Sequence, residues 1–210
     1  VSEHLVDDVA PVTVLSSERD FEGRVWDVRR DAFEYNGDTV VRDYVDHPGA
    51  VAVLALDDAG RVLLIKQYRH PIGRRDWEIP AGLLDLAGES PLAAARRELA
   101  EEVDLEATQW HTLLDVDTSP GGSTEFVRIY LARGLSESET VFARTEEERD
   151  IERRWVSLDD AIDAFLRRDI SNGILGTAVL AAGRGRDTGW TALGPADAPL
   201  KRLPQRGRRV

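Results

Sequence analysis

Ala81-Gly82-Leu83-Leu84-Asp85-Leu86-Ala87-Gly88-Glu89-Ser90-Pro91-Leu92-Ala93-Ala94-Ala95-Arg96-Arg97-Glu98-Leu99-Ala100-Glu101-Glu102-Val103 runs from a glycine-bearing loop into the most helical stretch of this chain. Ser90 suits an N-cap and Pro91 the first helical position, so a helix is predicted over Pro91–Val103. At about 100° per residue, Leu92, Leu99 and Val103 fall within about 40° of one another and form the core-facing stripe. Glu98 and Glu102 lie side by side about a third of a turn from that stripe, and Glu101 flanks them on the far side. Like charges at this spacing repel by roughly 0.2–0.5 kcal/mol per pair, which Arg97 relieves only in part. A hard cation would reverse the sign, because Mg²⁺ takes carboxylate, phosphate and water oxygens. A solvated acidic face is the plain alternative. Glu98 and Glu102 border the apolar stripe instead of opposing it, beside glycines that permit close backbone approach.

Working outward, residues 23–35 and 38–45 read as strands joined by Asn36-Gly37, a two-residue hairpin signal. Residues 50–56 are almost continuously apolar, as in a strand buried on both faces. The turn Asp57-Asp58-Ala59-Gly60 leads to residues 61–67, expected to pair with 50–56 as a second hairpin. Strand-like segments return at 76–79, 109–116, 125–131 and 151–156, with a Ser119-Pro120-Gly121-Gly122 turn between the second and third. Helices are predicted at 158–168 and at about 173–182. The resulting division is an N-terminal β extension over 1–47, a main domain over 48–183 and a C-terminal tail over 184–210, basic at its end and read as mobile or loosely docked.

The 210 residues carry 27 Lys+Arg against 39 Asp+Glu, a net charge of -12, which opposes general nucleic-acid binding. An anionic substrate would then need a local reversal of the field, which a carboxylate-held divalent cation supplies. At 42% hydrophobic and 31% charged the chain has a globular composition. No run of about 18 apolar residues predicts a membrane span, and residues 1–12 do not resemble a secretory leader. With no cysteine there is no disulfide, thiolate metal site or cysteine nucleophile, which fits a cytoplasmic location. P-loop, dinucleotide-binding, nucleophile-elbow and H-E-x-x-H patterns are missing. His4, His47, His70 and His111 have no ligand spacing and are read as satisfied or exposed.

The opening stretch resembles the signature of the Nudix hydrolase family, G-x5-E-x7-R-E-U-x-E-E-x-G-U with U a bulky aliphatic residue. Gly82, Glu89, Arg97-Glu98-Leu99-Ala100-Glu101-Glu102 and Leu105 fill its positions. Six residues instead of five separate Gly82 from Glu89, and Asp104 stands where the pattern has glycine, a position Asp tolerates in left-handed conformation. The resemblance implies an α/β fold of mixed character: an α/β/α sandwich around a mixed sheet, here with an N-terminal antiparallel β-sheet extension. It further implies that Glu98 and Glu102 bind metal, with Glu101 and the backbone carbonyl of Ala81 as further ligands. Arg97 would orient a neighbouring glutamate. The metal implied is Mg²⁺, with Mn²⁺ as an alternative, and the substrate a nucleoside diphosphate linked to another moiety.

Several features are similar to the ADP-ribose pyrophosphatase branch: Pro120 lying 15 residues beyond Leu105, the turn around it, Glu125, Gln67-Tyr68-Arg69, and Trp77-Glu78-Ile79-Pro80. That branch implies hydrolysis of ADP-ribose to AMP and ribose 5-phosphate, with Glu147 as the general base and Glu146 and Glu148 as alternatives. Substrate contacts are implied for Arg69 (phosphate), Glu78 (ribose, or metal support), Pro120 and Glu125, with Trp26 and Arg42 for the base. Trp77 is read as core. The N-terminal strands would form a homodimer, although an apolar sheet face needing cover gives an equal reason for pairing. Other readings are a Nudix hydrolase of a sugar nucleotide, dinucleoside polyphosphate or oxidised nucleotide, or a non-catalytic Nudix-fold regulatory protein.

Overall fold

The computed structural model describes residues 5–140, 142 and 149–200. In chain order the elements are β1 (Val14–Phe21), β2 (Asp27–Tyr35), β3 (Asp38–Asp46), β4 (Ala50–Ala55), β5 (Arg61–Arg69), β6 (Arg74–Glu78) and β7 (Ala81–Leu83). They continue with α1 (Pro91–Val103), β8 (Leu105–Asp117), β9 (Phe126–Glu137), β10 (Glu152–Ser157), α2 (Leu158–Leu166), α3 (Gly173–Asp187) and β11 (Gly194–Pro195).

Three sheets result, in the orders β1-β2-β3, β10-β5-β6 and β11-β8-β9-β4-β7. The last is mixed, because β4 runs parallel to β9 and antiparallel to β7. Every residue of β4 is buried. Ala50, Ala52 and Leu54 face a core closed by Leu158 and Ala161 of α2 and Leu175, Ala178 and Val179 of α3. Val51, Val53 and Ala55 face the opposite core, against Ala94, Ala95, Leu99 and Val103 of α1. The period of two along one apolar strand therefore separates the two helical layers of an α/β/α sandwich.

The expected second hairpin does not form. Strand β4 has β9 on one edge and β7 on the other, while β5 joins β10 and β6, leaving Leu56 opposite Val62 as a lone bridge. A strand buried on both faces needs partners on both edges. The Asp57–Gly60 turn, closed by Asp57 Oδ1 accepting from the N–H groups of Ala59 and Arg61, hands the chain to the other sheet instead. Strand β1 was not anticipated. It is an edge strand exposed along almost its whole length, with register shifts on both sides of its paired run, so hydrophobic periodicity gave no cue.

Helix α3 runs through to Asp187, across the 183/184 division, and the chain beyond it docks as far as Pro199. Pro195 and Gly194 pair with His111 and Thr112 at the β8 edge. The Trp190 ring lies 3.9 Å from the Arg133 guanidinium. Arg128, buried on β9, grips Asp115 with two bonds of 2.7 and 2.8 Å and donates to the carbonyls of Ala198 and Pro199. Among the described residues, no helix is long and apolar enough to cross a membrane.

Candidate active site

Helix α1 starts where its sequence requires. Ser90, in extended conformation, accepts the Ala93 N–H, and Pro91 needs no donor partner. It stops at Asp104, which takes the left-handed conformation at φ 57° in the glycine's place and is tied to Arg153 at 2.8 Å. Ala94 and Ala95, fully buried, let the helix approach the sheet closely, and Leu92 only packs at the rim of that core.

This close approach brings the acids onto β7. Glu102 is buried at 4% exposure, and its Oε2 accepts the Ala81 N–H at 3.0 Å. A Cβ on Gly82 would lie 2.0 Å from the Glu98 carboxyl carbon, so the glycine supplies the space that Glu98 occupies. On the outer side Arg97 binds three carboxylates: Glu89 with paired bonds of 2.9 and 3.0 Å, Glu98 at 2.5 Å and Glu101 at 3.1 Å. The Arg97 bond holds Glu89 below the usual carboxylate range, and Glu89 is the largest influence raising Arg97 in return. The six-residue spacing thus leaves Glu89 on Arg97.

The donor set is chemically suited to a hard divalent ion: carboxylate oxygens, one of them buried, on a single helix face beside a glycine. Among the described residues no three His, Asp or Glu side chains already form a metal cage. Arg97 Nη1 sits between Glu98 and Glu101, at 2.5 and 3.1 Å.

The remaining candidates fall into separate places. Arg69 reaches diagonally across the β5–β6 pairing to Glu78 in a paired bridge of 2.7 and 2.7 Å, and Glu78 lies three residues before Ala81. Trp26, just before β2, lies with its ring 6.1 Å from that of His47, whose Nε2 is 3.6 Å from Glu125 Oε1. Pro120 is in the exposed turn stitched to β3 by the Val45 N–H donating to Gly122. Arg42 is exposed on β3 and donates to the carbonyl of Val41; it joins neither group. Trp77 is half-buried, with Lys66 and Arg154 5.2 and 4.9 Å from its ring. Glu146, Glu147 and Glu148 lie outside the described residues. His47 was passed over as an ordinary histidine. The cue that could have raised it is its place in His47-Pro48-Gly49, immediately before the doubly buried strand.

Residues 46–173 match the NUDIX domain. An ADP-ribose pyrophosphatase of Mycobacterium tuberculosis is 47% identical over 168 residues, covering 80% of this chain and 81% of that protein. A methanol dehydrogenase activator of Bacillus methanolicus is 39% identical, and an ADP-ribose pyrophosphatase of Bacillus subtilis 38%, each over 74% of this chain and 84% of its own. A crystal structure of an ADP compounds hydrolase superposes with a TM-score of 0.72 at 21% identity, over 89% of this chain and 100% of that one, a likeness of fold.

Proposed function

Because this chain belongs to the NUDIX-domain family, we propose that it hydrolyses the diphosphate bridge of ADP-ribose to AMP and ribose 5-phosphate with the help of Mg²⁺. The observation that carries the reading is the packing of Glu98 and Glu102 onto Ala81-Gly82 under the charge of Arg97. Such a cluster of acids suits a divalent ion and an anionic bridge. Glu98, Glu102, Glu101 and the carbonyl of Ala81 would hold the ion. Once bound, it neutralises the diphosphate and lowers the pKa of coordinated water.

The chain's own groups do the rest. Glu147 is assigned as the base that takes the water proton. Arg69, steadied by Glu78 through Nε and Nη2, is assigned to a phosphate through its remaining N–H groups. Glu125 and Pro120 are assigned to substrate contacts, and Trp26 and Arg42 to the base. Arg97 keeps Glu98 and Glu101 in register.

Residues 1–47 form the extension in this reading. Sheet β1-β2-β3 leaves Leu15, Phe21, Tyr35 and Val41 exposed, and a second copy would cover them in a homodimer. Residues 48–183 make the hydrolase domain and 184–210 the tail, and the protein works in the cytoplasm.

The test is incubation with ADP-ribose and Mg²⁺, with products separated by ion-exchange chromatography, beside a panel of sugar nucleotides and dinucleoside polyphosphates. Equimolar AMP and ribose 5-phosphate are expected. Preferential turnover of another diphosphate would move the substrate, and nucleotide binding without turnover of any would overturn hydrolysis.

A further inference from the structure

We infer that His47 is a positioning residue for nucleotide binding, acting through Glu125 to fix the 118–125 loop against Trp26 and against the segment that carries Gly82. The inference rests on the ADP-ribose reading of the site and adds to it a residue that touches no reacting atom.

His47 is 7% exposed, and its surroundings decide which of its nitrogens carries the proton. The backbone N–H of Gly49 can only donate, and it donates to His47 Nδ1 at 3.0 Å. The proton of the neutral ring is therefore on Nε2, the atom 3.6 Å from Glu125 Oε1. The other oxygen of Glu125 accepts from the Thr118 hydroxyl at 2.6 Å. The carboxylate is thus held by Thr118, with the imidazole facing it as the inner wall.

The imidazole is itself fixed by the backbone. The His47 N–H donates to Thr124 Oγ1 at 2.8 Å, and the Thr124 N–H donates to Val45 at 2.9 Å. Gly49, at φ +86°, is pressed on Phe126 so closely that a Cβ would come within 2.6 Å of the ring. Its carbonyl accepts the Leu84 N–H at 3.0 Å, two residues beyond Gly82. The His47-Pro48-Gly49 turn therefore touches three parts of the proposed site: Trp26 of the extension, Glu125 of the loop, and the strand beneath Glu98.

The test separates the two ring nitrogens. His47→Asn keeps an acceptor for Gly49 and loses the Nε2 donor, whereas His47→Gln keeps a donor near Nε2. His47→Asn should raise KM for ADP-ribose by about threefold, the scale of one weak polar contact, with kcat within about twofold. His47→Gln should recover most of that loss. Glu125→Gln should raise KM comparably, and the double variant H47N/E125Q should be no worse than the poorer single, since both remove one contact. An unchanged KM in H47N, or additive losses in the double variant, overturns the inference. If H47N does not fold, as judged by circular dichroism, His47→Ser, which also lacks a donor at the Nε2 position, takes its place in the same cycle with E125Q. A wild-type protein inert towards ADP-ribose strikes the substrate reading instead. The same four proteins then report through Tm without substrate, where coupling supports the His47–Glu125 contact and additivity refutes it.

Discussion

At the residue scale two carboxylates are fixed by their neighbours, Glu102 by a backbone N–H and Glu89 by Arg97. Glu102 is a buried carboxylate that accepts one backbone N–H, and Glu102→Gln can still accept it, so the fold should survive. Turnover should fall by more than about 100-fold, because groups one step removed from a metal already matter by about 10–100-fold. Mg²⁺ titration by calorimetry together with initial rates checks this; near-normal rates at saturating Mg²⁺ would remove Glu102 from the ligand set. Glu89, held below its ordinary range by Arg97, is charged over a wider pH range in the folded chain than in the unfolded one. Its contribution to stability is present above the unfolded carboxylate pKa and is lost as pH falls through the depressed folded value. Arg97→Met releases that hold, so the acid-unfolding midpoint should move to higher pH, and the shift should shrink in an E89Q background. The Glu98–Glu102 pairing and the Arg97 partnership with Glu101 were legible from helical spacing. That Arg97 would grip Glu89 hardest was not, because Glu89 lies across a loop whose path no periodicity specifies.

Elements show the same division. Helix α1 was legible because its start, stop and apolar face are written in adjacent residues: Ser90, Pro91, Leu99, Val103 and Asp104. Ser90→Ala removes the cap bond and should cost about 1 kcal/mol, lowering Tm by about 2–4 °C for a chain of this size; an unchanged Tm would show that packing alone sets the helix start. Gly82→Ala acts between elements. Its Cβ would occupy the position of the Glu98 carboxylate, so α1 must give way or Glu98 must leave β7. Activity should be lost with the secondary structure intact by circular dichroism, whereas full activity would place Glu98 outside the site. Strand β4 was recognised from its apolar run, yet its partners were not, since such a run reports burial on two faces and is silent about which strands occupy the two edges.

Across the whole molecule two features await solution measurement. Light scattering should give the mass of two chains, and Val41→Lys, on the exposed face of the N-terminal sheet, should shift it towards one; a wild-type monomer would refute the dimer. Arg128 clamps the chain past α3, and Arg128→Met leaves Asp115 without its partner, costing about 3 kcal/mol in urea unfolding. The sequence by itself determined the carboxylate helix, its caps, the doubly buried strand and the family signature, because each is encoded by neighbours within a few turns of chain. Only the tertiary structure decided which strands share a sheet, that residues 188–199 dock, and that Trp26, His47 and Glu125 meet across nearly half the chain. Those contacts join residues far apart in sequence, and shape, edge pairing and the direction of single hydrogen bonds select them, none of which leaves a local pattern.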